Sequence, residues 1–204
     1  MRLLSRYRRD ERGVTSVEAA LLSGLFVLLV MGGTELGLYY FKANAAEQAA
    51  RTGARLAATH DPVARQLATN TWLTSERRAG DPLPDYTYTC DGATSSCDTG
   101  PYDASAMDVL IHGPDGTGCA ESANRAAQGM CDFLAGLNAG NVEITYTGTR
   151  LGTAGDPAAP LPLVTVTVKN VEREVLFLER ILGNRAVLKP VSVTVMAEDL
   201  KGGV

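Results

Sequence analysis

The run from Arg12 to Thr59, RGVTSVEAALLSGLFVLLVMGGTELGLYYFKANAAEQAARTGARLAAT, limits what this chain can fold into more than any other stretch. Ala19 to Thr34 are 16 consecutive uncharged residues, and only Glu18 and Glu35 interrupt the 28 residues from Val14 to Phe41. A bilayer core ~30 Å thick is crossed by about 20 mostly apolar helical residues, each rising ~1.5 Å. The pattern predicts one membrane-spanning helix over residues 14–41. Centred between Gly24 and Leu29, it keeps both carboxylates near its ends, where they cost less than at the midplane. A cleaved secretory signal would need a shorter apolar core and an A-x-A-like end. Neither is present, and Lys42 onward continues as helix, so the segment is expected to be retained.

The flanks predict orientation. Residues 1–13 hold Arg2, Arg6, Arg8, Arg9 and Arg12 against Asp10 and Glu11, a net +3, while the rest of the chain carries −7. Arginines beside a first span hold that end in the cytoplasm. We therefore expect a cytoplasmic basic leader over 1–13, a span over 14–41, a helical continuation over 42–60 and an extracytoplasmic domain over 61–204. The acidic outer part argues against nucleic acid as a partner.

A basic leader ending in Gly13, an apolar residue next (Val14) and Glu18 five places after that glycine look like a type IV prepilin signal. With Glu35, Gly37 and the run NAAEQAARTGARLAA, the stretch resembles the TadE-like family of tight-adherence (Flp, type IVc) pilus systems. Residues 161–199 resemble it more loosely: VTVTV, an apolar helical insert, then VSVTVMAE. Ala19 stands where cleaved prepilins of the Flp type usually carry Tyr or Phe. The resemblance implies a minor pilin (pseudopilin) of the cytoplasmic membrane that takes part in assembling the fibre. It also implies cleavage between Gly13 and Val14 by a prepilin peptidase, with a membrane assembly platform and other pilin-like subunits as partners. It implies no cofactor and no enzymatic activity.

The residues give a physical reading beside it. Cleavage after Gly13 would leave an α-amine on Val14 at the membrane surface, and Glu18 could pair with such an amine on a neighbouring subunit, strongly in low dielectric. The plainer reading sets Glu18 among headgroups near Arg12. Glu35 has two readings as well: contact with a partner subunit in the membrane, or a place in the outer interface beside Tyr39 and Tyr40, whose rings suit headgroup depth. Gly33 and Gly37 form a GxxxG spacing that permits close helix approach.

Past the span, Ala43, Ala46, Ala50, Ala54 and Ala57 fall in a narrow stripe at helical periodicity. That stripe leaves room for another backbone, either of a partner or of the chain's own domain. Glu47 and Arg51 stand i,i+4 in the favoured order. Asp61-Pro62 ends the helix, because a residue before proline avoids the helical region.

Roughly 140 residues beyond Pro62 suffice for one domain with a real core. A second helix is expected from Val63 to about Arg78, with Val63, Leu67, Thr71 and Trp72 inward, and Trp72 as a core or interface anchor. DYTYTC alternates as a strand should. MDVLIHGP (107–114) reads as a strand entering a glycine turn. Residues 121–137 suggest a third helix, with Ala123, Ala127, Met130, Phe133 or Leu134, and Leu137 inward. NVEITYTG, LVTVTVKN and VSVTVMAE alternate valines and other apolar residues with polar ones, and Glu172 to Leu182 reads as an apolar helix that either covers the sheet or meets a partner. Together these predict an α+β fold: a long N-terminal, pilin-like transmembrane helix, then an antiparallel sheet packed with helices.

Four cysteines lie in a turn-rich region at about 85–131, in a compartment that permits oxidation. Of three connectivities, the local one, Cys90–Cys97 with Cys119–Cys131, closes two short loops and is preferred. Intervals of 6, 21 and 11 residues do not suit a zinc site, and no metal is expected. Asp91, Asp98, Asp103 and Asp115 fit no EF-hand spacing and read as turn formers. His60 and His112 have no matched nucleophile, so no catalytic residue is assigned. The function expected is that of a TadE-like minor pilin. A membrane-anchored envelope binding module, using the cysteine-bearing middle, is the alternative. An extracytoplasmic enzyme would instead gather His112 with carboxylates in a cleft.

Overall fold

The computed structural model describes residues 11–116, 118–119, 124, 127–155, 160–172 and 187–197, with side chains from Ser16 onward. Helix α1 runs from Glu11 to Thr59, 49 residues. It contributes to two compact units, one reaching Phe41 and the other starting at Lys42.

In the first unit, Ser23 and Thr34 turn their hydroxyls back onto the carbonyls of Ala20 (2.9 Å) and Val30 (2.8 Å). A polar side chain that satisfies itself on its own helix can sit in an apolar environment without an orphaned donor.

The second unit begins with the rest of α1. Ala46, Ala49, Ala50, Ala54 and Ala57 are fully buried, so the small-residue stripe packs within the chain's own domain. A methyl group on Gly53 would stand 2.4 Å from Met130 Sδ, which places Met130 against the helix backbone. The helix stops before Asp61-Pro62, as proline requires.

A five-stranded antiparallel sheet follows: β1 (Thr87–Asp91), β2 (Ser96–Cys97), β3 (Val142–Thr147), β4 (Leu163–Val168) and β5 (Val191–Met196), in the order β2-β1-β3-β4-β5. Period-2 alternation puts Tyr88, Cys90, Val142, Ile144, Tyr146, Val164, Val166 and Val168 on a buried face. The opposite face carries cross-strand hydroxyl pairs: Thr89 with Thr145, Thr165 with Thr194, and Thr167 with Ser192. The chain thus has the α+β architecture its sequence predicts: a long apolar N-terminal helix, an antiparallel sheet and additional helices.

Three local expectations fail, each for a physical reason. The helix expected from Val63 to Arg78 is only α2, Arg65–Thr69. Beyond it Asn70 is extended and its Oδ1 accepts from Trp72 N at 2.9 Å, while Thr74 Oγ1 accepts from the N–H groups of Glu76 and Arg77. Asn and Thr side chains here win backbone donors that a helix would have used. Trp72 takes φ +61° and is buried, as an anchor should be. The strand expected at 107–114 is instead helix α3, Ala104–His112. Asp103 caps it, its Oδ1 accepting from Ser105 N and Ala106 N, and Gly113 at φ +89° ends it. The described part of the third expected helix holds only a 3-10 turn, Met130–Asp132. Gly129 stops anything longer: it lies against α3, where a Cβ would stand 2.3 Å from the carbonyl oxygen of Ile111. Ala127, Met130, Leu134 and Leu137 are inward and Phe133 is not, whereas Ala123 lies outside the described residues. The apolar helix expected at 172–182 also lies outside them, apart from Glu172, which bridges to Val187.

Candidate functional site

From Val17 to Val30 the large apolar side chains of α1 are exposed all round, with Leu21 at 72% and Phe26 and Leu29 at 66%. Such a surface is costly in water. By length and composition the segment can cross a membrane, and among the described residues none of its most apolar window is buried. Gly13 and Val14 lie within α1. Glu18 is exposed. Sixteen residues lie between Glu18 and Glu35, which stand about 25 Å apart along a helix, so the two carboxylates mark opposite ends of the apolar stretch.

Glu35 is the buried charged residue of the described chain, only 3% exposed. Its neighbours are open. A Cβ on Gly33 or Gly37 would meet nothing within 4 Å, so the two glycines present bare backbone on one face of the helix, and Glu35, two residues from each, lies on the opposite face. Tyr39 and Tyr40 follow within one turn, their rings edge-on at 5.7 Å. The structure therefore gathers Gly33, Glu35, Gly37 and the tyrosines at one end of the apolar stretch.

The cysteines form two bridges, Cys90–Cys97 and Cys119–Cys131. The first joins directly opposed residues of β1 and β2. Beside the second, a ring nitrogen of His112 and both sulfurs lie within 4.8 Å of one another. Sulfurs joined in a disulfide offer no thiolate to a metal. His112 Nδ1 meets Asp108 Oδ1 at 2.7 Å, one turn back on α3. The pair borders a shallow groove with Ser95, Tyr102 and Asn138. Among the described residues no hydroxyl or free thiol is hydrogen-bonded to His112, so a nucleophile–base pair is not assembled there.

Asp91, Asp98 and Asp103 each accept backbone N–H groups, from Ala93, Thr89, and Ser105 with Ala106. These bonds disperse the carboxylates into turns and a cap. Sequence reasoning missed Lys169, whose Nζ donates to Asp91 Oδ2 (2.9 Å) and Glu143 Oε2 (2.6 Å). The three residues stand far apart in sequence, so no local signal could have found them. It also missed an aromatic cluster in which Trp72 stacks on Tyr86 at 4.6 Å and both approach Tyr88. Burial pushes the Tyr86 phenol up, with the charge of Tyr88 adding to the shift.

No curated protein and no solved structure matches this chain. A family model does: residues 13–55 match the one described as TadE-like protein. The match covers the exposed apolar stretch, Glu18, Glu35 and both open glycines, and it reaches into the alanine stripe. Residues 13–55 are thus similar to the TadE-like family.

Proposed function

We propose that the chain is a minor pilin (pseudopilin) that takes part in assembly of a tight-adherence type IVc pilus. One observation supports this reading: the stretch that matches the TadE-like family includes Val17 to Val30, whose large apolar side chains are exposed. A helix of that kind is solvated by lipid or by other helices. On this reading residues 14–41 cross the cytoplasmic membrane once, with the arginine-rich leader inside and the α+β domain outside. Gly33 and Gly37 let a pilin-like neighbour approach one face of the helix at the level of Glu35. Glu18 takes the assembly role, next to the amine that a prepilin peptidase would free on Val14. The partners are pilin-like subunits, that peptidase and the membrane assembly platform. No enzymatic activity is assigned.

Mass spectrometry of the protein recovered from cells is expected to find an N-terminus at Val14, and deletion of its gene is expected to abolish or reduce piliation. Normal pili after deletion would overturn the reading and favour a membrane-anchored binding module of the envelope. Termini that all lie at Met1 would leave an unprocessed anchor in place of a processed pilin.

A further inference from the structure

Anchoring and docking through α1 leave one cluster of the outer domain unused. It lies at the end of α3, where the Asp108–His112 pair meets the bridge Cys119–Cys131. A ring nitrogen of His112 is within 4.8 Å of both sulfurs. Its Nδ1 is engaged by Asp108, which leaves Nε2 as the nitrogen open to proton exchange. The two sulfurs differ in access: Cys119 is exposed, whereas Cys131 is 2% exposed. Thiol–disulfide exchange needs an attackable sulfur, here Cys119. A buried leaving sulfur such as Cys131, a poor leaving group as a bare thiolate, needs a proton donor beside it, here the oriented imidazole.

We infer that Cys119–Cys131 is a thiol–disulfide exchange site, with His112 as its proton donor and acceptor and a dithiol as its co-reactant. A thiolate of the dithiol attacks Cys119 Sγ. The Cys119–Cys131 bond breaks, and its electron pair leaves on Cys131 Sγ, which takes a proton from His112. The second thiol of the dithiol gives its proton to His112 and displaces Cys119 Sγ, which leaves as a thiolate and takes a proton from solvent. Two electrons have passed to the bridge, and the dithiol has become a disulfide. The reverse sequence, from an oxidised dithiol, closes the bridge.

The bridge is coupled to the seat of α1. Cys131 follows Met130, which is fully buried against Gly53 in the alanine stripe. Closing the bridge fixes the turn that carries Met130, and opening it frees that turn. Exchange at Cys119 therefore sets how firmly the domain holds the outer part of the helix.

The test uses the full chain in detergent, exposed to dithiothreitol, quenched with acid, alkylated and mapped by mass spectrometry. Cys119–Cys131 is expected to open about tenfold faster than Cys90–Cys97, and H112Q to slow it about fivefold, the effect of losing an oriented proton donor. In wild-type protein, opening of Cys119–Cys131 is expected to speed amide exchange in the stretch of α1 around Gly53. The direction of the H112Q effect separates chemistry from structure, because a loosened fold would expose the bridges and speed both. D108A, which keeps the imidazole but removes the acceptor that orients it, is expected to slow only Cys119–Cys131, and less than H112Q does. Simultaneous opening of the two bridges, or an H112Q rate equal to or above wild type, would overturn the assignment.

Discussion

The hydroxyl of Tyr146, near the end of β3, accepts the backbone N–H of Val63 at 3.0 Å across 83 residues of sequence. Both residues are fully buried. The bond ties the sheet to the segment that leaves α1 just after Pro62, where no secondary-structure partner takes that N–H. Burial raises the phenol above its ordinary value, and the bond from Val63 works against that shift. The group therefore stays neutral, able to accept and to donate. Tyr146→Phe keeps the ring and removes the acceptor, leaving a buried N–H unpaired. Such an orphan costs about 1–3 kcal/mol. Denaturant unfolding of the solubilised chain is expected to show that loss with an unchanged slope.

Gly53 gives a second, independent handle on the same seat. The Sδ, Cγ and Cε atoms of Met130 all come within 3.1 Å of where a Cβ would stand, so Gly53→Ala displaces the whole side chain and not only its tip. Overpacking of this kind costs about 1–3 kcal/mol, against at most ~1 kcal/mol gained from helix propensity. G53A is expected to lower the thermal midpoint in wild type, and to lower it less in a Met130→Ala background, where the clashing side chain is gone. Equal midpoints for G53A and wild type would show that Met130 has room to move.

What the sequence revealed follows from the range of the forces involved. β3 and β4 were legible because a period of two, valine or aromatic against threonine, survives any tertiary context that buries one face. α3 was misread because the short run DVLIHG fits a strand as well as a helix, and the arbiter lay just upstream, in the capping aspartate Asp103. The stretch after Thr69 was misread because apolar spacing says nothing about the local bonds of Asn70 and Thr74. The alanine stripe was visible as a stripe, but only the fold shows Met130 opposite Gly53. Glu35 was singled out by its position in an apolar run, whereas its burial is a tertiary fact.

Asp103 predicts an acid-labile contribution to stability. The Ser105 hydroxyl holds it down most; burial opposes, and Arg65 and the Ala106 N–H add to the lowering, so its carboxyl falls from an ordinary value near 3.8 to about 2. The folded value lies below the unfolded one, so this contribution is present in full above the unfolded pKa and is lost as pH falls through the folded one. Asp103→Asn keeps an N-cap acceptor and loses the charge and its pair with Arg65, whose Nε and Nη2 donate at 3.0 and 2.7 Å. The gap in thermal midpoint between wild type and D103N is expected to be constant near neutrality and to close between pH 4 and about 2. A gap independent of pH would remove the charge from the explanation.

Lys169 predicts the opposite slope. Burial works against its charge, but the carboxylates of Glu143 and Asp91 outweigh this and raise its pKa. The hydrogen bond from Lys169 in turn is the main cause that lowers Asp91. Asp91 and Glu143 are register partners on β1 and β3, so Lys169→Met leaves two like charges side by side. That cross-strand repulsion, with the lost ion pairs, is expected to cost about 1 kcal/mol at pH 7. In K169M, stability should rise as pH falls into the carboxylate range, where wild type loses the Asp91 contribution. D91N in the K169M background should remove most of the deficit at pH 7.

Gly33 and Gly37 separate folding from docking. Nothing stands within 4 Å of a Cβ at either position, so Gly33→Leu with Gly37→Leu has no steric conflict inside the described chain, and leucine is the better helix former. The α+β domain should therefore melt as in wild type. If the open backbone at Gly33 and Gly37 is where a pilin-like helix approaches, two leucine side chains hold that helix away and weaken packing that depends on small residues. A photocrosslinker at Leu36, 56% exposed on the same turn, reads this directly in membranes. The crosslink to a pilin-like subunit is expected in wild type and to fall several-fold in the double variant. An unchanged crosslink with an unchanged melt would place the docking face elsewhere on the helix. A crosslink missing from wild type itself would count against docking there at all, because the same apolar surface would then be covered by lipid alone.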